Sequence, residues 1–210
     1  MMLTWHRFDT LDQAADALSC HIAGLLNAAT AARGRASFLA SGGSTPKPLY
    51  TRLSQADCDW AKIDVALVDE RWVTETHPRA NTAFLRGNLL QNKAAAAHFV
   101  PMLRKAGDVF EIADEVDQAY RTLAQPFDAV VLGLGPDGHT ASLFPGARGL
   151  QHAFEAPLDR LVMPIEAIKS DVTGDEVHRL TLTPHAIAAS DYPVLLISGA
   201  TKQSVALRAA

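Results

Sequence analysis

Short apolar runs recur along this chain, each separated from the next by an amphipathic stretch, and that rhythm limits the fold more than any other feature. Residues 36–40, 63–68, 128–132 and 193–198 are strand-length and largely apolar, the pattern of strands buried on both faces. Residues 98–101, 161–165 and 179–183 read as further strands. Between them, residues 11–32 repeat Leu11, Ala15, Leu18, Ile22, Leu25 and Leu26 near helical spacing, with Asp9 or Thr10 as cap. Residues 81–90 and 108–123 read as helices, the latter through Val109, Ile112, Val116 and Tyr120, as do 184–189 behind Pro184 and 202–208. Alternating strands and helices predict an α/β fold: a doubly wound, mostly parallel sheet with helices on both faces. A single domain over residues 1–210 is expected, with a less regular segment around 145–179 forming a lid or an excursion from the sheet. The sequence ends soon after its last helix begins, which on this reading leaves the C-terminus incomplete.

Composition narrows the function classes. The chain has 210 residues, 48% of them apolar, and a formal net charge of -4. A global basic footprint for nucleic acid is absent, so an anionic ligand needs a local cluster of cations and backbone N–H groups. Cys20 and Cys58 are the only cysteines; two lone thiols argue against a disulfide scaffold and fit a reducing cytoplasm. No apolar run approaches the roughly 20 residues that span a bilayer, and the N-terminus lacks a secretory signature. A cytoplasmic protein without nucleic-acid or membrane partners is expected, as a monomer or weak homodimer.

Four strands run straight into polar or glycine-rich turns: Ser41-Gly42-Gly43-Ser44-Thr45-Pro46, Asp69-Glu70-Arg71-Trp72, Gly133–Thr140 and Ser198–Lys202. In an open α/β sheet ligands bind beyond the carboxyl ends of the strands, so parallel strands would gather all four turns on one edge. The first turn lets backbone approach a ligand and offers helix-start N–H groups to an anion. It does not match the nucleotide-triphosphate loop G-x-x-x-x-G-K-[ST]. Arg71 suits a phosphate with its planar fork. Arg179 would share one face with Thr181 and Thr183, and Lys202 opens the last helix. Each of these taken alone equally fits a capped turn, an ion pair or a surface charge.

Gly133–Gly138 spells G-x-G-x-x-G, but His139-Thr140-Ala141-Ser142-Leu143-Phe144-Pro145-Gly146 follows. Proline and glycine leave no room for the helix and acidic residue that a dinucleotide fingerprint demands. Asp137 and His139, in a glycine loop at a strand end, instead suggest chemistry. The other histidines lack metal-ligand spacing, H-E-x-x-H is absent, and no metal or other cofactor is expected. There is no G-x-S-x-G nucleophile elbow.

Together, SGGSTP, DERWV, GLGPDGHTASLFPG, RLTLT and SGATK resemble the 6-phosphogluconolactonase (DevB-like) family, in order from Ser41 to Lys202. The resemblance implies a Rossmann-like fold of the NagB/RpiA type, no nicotinamide cofactor, and hydrolysis of 6-phospho-D-glucono-1,5-lactone in the oxidative pentose phosphate pathway. It implies His139 as general base with Asp137 beside it. Gly42, Gly43, Ser44, Thr45, Asp69, Arg71, Arg179 and Lys202 match family positions around the sugar phosphate. The related glucosamine-6-phosphate deaminases carry a glutamate five residues beyond the loop histidine, where this chain has Phe144, and Met-Asp-Glu-Tyr where it has Val68-Asp69-Glu70-Arg71. Both differences favour a lactonase. The rival readings are a sugar-phosphate isomerase or deaminase, a non-catalytic sugar-phosphate sensor and, least favoured, a nicotinamide dehydrogenase.

Overall fold

The apolar runs do form strands. The computed structural model describes residues 3–102, 107–171 and 173–209. In chain order its helices and strands are α1 (Leu11–Arg33), β1 (Ala36–Ala40), α2 (Lys47–Leu53), β2 (Ile63–Leu67), β3 (Asp69–Arg71), α3 (Asn81–Asn88), β4 (His98–Val100), α4 (Val109–Tyr120) and β5 (Ala129–Leu132), then α5 (Leu150–Glu155), β6 (Val162–Glu166), β7 (His178–Leu182), α6 (Pro184–Ala188), β8 (Pro193–Leu195) and α7 (Ala200–Ala209). Thr10, one of the two expected caps, starts α1. Its hydroxyl accepts from the Gln13 N–H at 3.2 Å, and the Gln13 side chain accepts from the Thr10 N–H at 3.3 Å. This reciprocal pairing satisfies two otherwise orphaned donors.

The main sheet has strand order β4-β2-β1-β5-β8, and every pairing in it is parallel. With its helices it makes a doubly wound α/β fold. β1, β2 and β5 are buried along their whole length, which is why they read as continuous apolar runs. α1 brings Ile22 and Leu26 into the core around Phe38, Leu39, Val65, Leu67, Val130 and Val131. Tyr50 and Tyr120 are fully buried yet satisfied. The Tyr50 hydroxyl donates to the Ser41 carbonyl at 2.8 Å, and that of Tyr120 donates to the Leu67 carbonyl at 3.1 Å. Both bonds tie helices to the ends of strands that lead into the predicted turns. The chain reverses direction across the sheet between β1 and β5. That makes their carboxyl ends the topological switch point, where open α/β sheets bind ligands.

The structure corrects the reading of Asp69-Glu70-Arg71 as a turn. These residues form β3, in a second, antiparallel sheet of order β3-β7-β6. The irregular segment 145–179 supplies α5, β6 and the start of β7. Arg71 lies opposite Arg179, and Asp69 opposite Thr181. Directly opposed residues share a face, so the small sheet presents both arginines and Asp69 on one side.

Candidate active site

The loop after β5 runs from residue 133 to 149 without helix, as the dinucleotide argument requires. The Gly135 N–H donates to the His139 carbonyl at 2.8 Å, and the Gly138 N–H to the Gly135 carbonyl at 3.1 Å. That closes a tight ring around Asp137. The Asp137 carboxylate lies 2.6 Å from His139 Nδ1. A methyl group on Gly135 would collide with both the imidazole and this carboxylate, so only glycine lets the ring lie flat on the backbone. Burial by itself raises the Asp137 carboxyl, but the hydrogen bond and charge of His139 outweigh it, and its pKa falls below the ordinary carboxylate value.

Beyond the histidine the loop is strained and then pinned. Ala141 sits at φ 49°, a left-handed conformation that costs a non-glycine residue about 1–2 kcal/mol. On either side of it, the Thr140 hydroxyl donates to the Gly133 carbonyl at 2.9 Å, and the buried Ser142 hydroxyl donates to Asp69 at 2.6 Å. The Phe144 ring packs on the His139 imidazole with centroids 4.2 Å apart, and the Arg179 guanidinium lies 5.5 Å from the centroid of the same ring. The Phe144 ring thus neighbours both the His139 imidazole and the Arg179 guanidinium, where the deaminase pattern would put a carboxylate.

The cationic half is organised by residues the sequence reading did not single out. Glu70 is 2% exposed and accepts from the N–H groups of Arg71, Asn81 and Thr82 at 2.7–2.8 Å. It therefore caps α3, whose own cap position, Ala80, has no polar side chain. Burial raises its pKa despite these three donors. Asn81 donates through Nδ2 to the Asp69 carbonyl at 2.8 Å and to the Asp69 carboxylate at 3.2 Å, while its Oδ1 accepts from Arg71. The Asn81 amide also packs against Gly42, where any Cβ would overlap it. Three polar atoms in this neighbourhood, Ser41 Oγ, Arg71 Nε and Thr82 Oγ1, are buried with no hydrogen-bond partner. Buried orphans are rare in folded proteins.

Asp137 with His139, and Arg71 with Gly42, form two adjoining clusters that Asp69 and Ser142 join. Asp69, expected near the phosphate, has both carboxylate oxygens occupied by Asn81 and Ser142. Arg179 is 2% exposed and spends donors on the Glu176 and Thr173 carbonyls; burial lowers its pKa to about 10, which still leaves it cationic at neutral pH. Ser44 is exposed and Thr45 half-buried ahead of α2, and Gly43 holds φ 95° in the same turn. Lys202 is half-buried in the first turn of α7. One turn on, Val205 packs with Leu134 and faces Gly138, which docks α7 on the histidine loop. A separate cavity of about 700 Å³ lies between α4, α5 and β6, lined by Phe110, Arg121, His152, Arg160 and Met163 among others. It contains none of these groups.

Residues 9–210 match the family described as glucosamine-6-phosphate isomerases/6-phosphogluconolactonase. The chain belongs to that family. It is 41% identical over 200 residues to a 6-phosphogluconolactonase of Mesorhizobium japonicum, covering 95% of this chain and 82% of that protein. It is 40% identical over 209 residues to one of Rhizobium meliloti, covering 100% and 88%. A crystal structure of a 6-phosphogluconolactonase from Shewanella baltica superposes with a TM-score of 0.89 at 36% identity, covering 96% of this chain and 84% of that one. A monomeric glucosamine-6-phosphate deaminase shares the fold, with a TM-score of 0.79 at 16% identity. Among the described residues, no helix is long and apolar enough to cross a membrane.

Proposed function

We propose that this chain hydrolyses 6-phospho-D-glucono-1,5-lactone to 6-phospho-D-gluconate, with His139 as general base. The observation that carries the reading is the 2.6 Å Asp137–His139 pair in the loop after β5, linked through the Phe144 ring to Arg179, the residue opposite Arg71. The likeness to several 6-phosphogluconolactonases supports the same substrate.

Asp137 accepts from Nδ1–H, which fixes the tautomer and leaves Nε2 as the basic nitrogen. Nε2 takes a proton from water as the oxygen attacks C1 of the lactone. The carbonyl electrons move onto oxygen, giving a tetrahedral oxyanion that needs donors. The N–H groups of Gly135 and Gly138 are spent inside their own loop and are not free to serve it. Collapse breaks the bond from C1 to the ring oxygen, which recovers the proton from the imidazolium. The resulting acid ionises to the gluconate. Arg71 and Lys202 hold the phosphate, with Arg179 adding positive potential from beneath. Phe144 provides no proton acceptor where ring opening of an amino sugar would need one.

The test is hydrolysis of freshly generated 6-phosphogluconolactone, corrected for spontaneous opening, with glucosamine 6-phosphate run in parallel. Catalysed lactone opening without ammonia release is expected. Ammonia release would move the chain to the deaminase branch, and binding of 6-phosphogluconate without turnover would make it a sensor.

A further inference from the structure

We infer that Asn81 is a positioning residue for phosphate recognition: its side-chain amide sets the plane of the Arg71 guanidinium against the Gly42 turn. The inference rests on the lactonase reading above. Asn81 is 2% exposed, and its N–H is anchored on Glu70 at 2.8 Å. Its Nδ2 faces two acceptors on Asp69, a carbonyl and a carboxylate oxygen. That settles the orientation of the amide, because the reversed amide would set its oxygen against both. Oδ1 must then point to Arg71, and one terminal nitrogen of the guanidinium is held there.

A guanidinium is a rigid planar fork, so holding one terminal nitrogen sets the direction of the rest. Nε is buried without a partner, and the other terminal nitrogen is left to meet a tetrahedral anion by a charge-assisted bond. The same amide lies against Gly42, where no side chain could be accommodated. One side chain thus fixes the distance between the guanidinium and the glycine turn. It touches neither the reacting carbon nor the water in the mechanism above, and so acts through Arg71.

The test uses the full chain and four forms: wild type, Asn81→Ala, Arg71→Ala and the double variant. For each, KM and kcat are measured on 6-phosphogluconolactone, and Kd for 6-phosphogluconate by calorimetry. Asn81→Ala should raise KM and Kd about tenfold, with kcat within about threefold, and should add no more than about twofold when Arg71 is already alanine. Asn81→Asp keeps the shape packed on Gly42 but sets a carboxylate against the Arg71 fork. It should raise KM further than alanine does, in a protein that melts cooperatively. Unchanged KM in Asn81→Ala, or penalties that multiply fully in the double variant, would overturn the assignment while an active wild type keeps the lactonase reading intact. A wild type inert toward the lactone would remove that reading and this assignment together.

Discussion

Asp137, in the loop after β5, and Glu70, in the middle of β3, are both carboxylates, and the two halves of the site use them in opposite ways. Asp137 sits on an exposed loop, grips an imidazole at 2.6 Å, and has a lowered pKa. Glu70 is buried in the small sheet, gathers three backbone N–H groups, and has a raised pKa. On the proposed mechanism the first steadies a charge that forms on its partner during reaction. The second steadies a helix start. The base half of the site is thus a reactive loop held in place, and the cationic half a piece of architecture with one guanidinium left incomplete.

Breaking the base half should give the largest effect. His139→Ala is expected to lower kcat by about 10²–10⁴-fold, the usual contribution of a positioned base. Calorimetric affinity for 6-phosphogluconate should stay within about threefold, and a variant with near-normal turnover would remove the base assignment. Breaking the cationic half through Arg71→Ala should act on binding. Hydrogen bonds to charged groups contribute about 1.5–3 kcal/mol, so KM should rise roughly ten- to a hundredfold with kcat less affected. A change confined to kcat would reverse the division of labour.

Glu70→Ala leaves three backbone donors without their acceptor and should cost about 1–3 kcal/mol of stability by urea denaturation. Because Glu70 also anchors the Asn81 and Arg71 N–H groups, KM on 6-phosphogluconolactone should rise in the protein that remains folded, with kcat less affected. The smallest effect is also the sharpest contrast, because the two carboxylates drive stability in opposite directions with pH. Asp137, with its depressed folded pKa, contributes stability above its unfolded pKa that is lost as pH falls through the folded value. Glu70, with its raised folded pKa, contributes stability below its unfolded pKa that is lost as pH rises through the folded value. Stability measured across the acid range should lose the first slope in Asp137→Asn and the second in Glu70→Gln. Slopes of the same sign would contradict the contrast.

The main sheet was readable because its central strands β1, β2 and β5 are buried on both faces and therefore largely apolar, while β4 and β8 at the edges are partly exposed. β1 begins and ends where the apolar run does, and β5 differs only at Asp128. β3 was not readable: Asp69-Glu70-Arg71 has no apolar alternation, and only pairing with β7, far along the chain, makes it a strand. The glycine turns, His139 and Arg71 stood out because their residue types are unusual where they occur. Asn81, Glu70 and Ser142 did not, since a polar residue at a helix start or in a loop is ordinary. Their partners lie 10–12 residues away for Asn81 and 73 away for Ser142. The one available hint was α3's missing cap: a helix opening at Ala80 with no Ser, Thr, Asp or Asn must borrow an acceptor from elsewhere.

Phe144 bears on how the family's two chemistries could diverge. Its ring is packed on by His139 and has the Arg179 guanidinium 5.5 Å from its centre, so a glutamate installed at 144 would have a cation close by. An ion pair with Arg179 would then compete with any role of the new carboxylate toward an amino sugar, which ties the consequence of a change at 144 to the residue at 179.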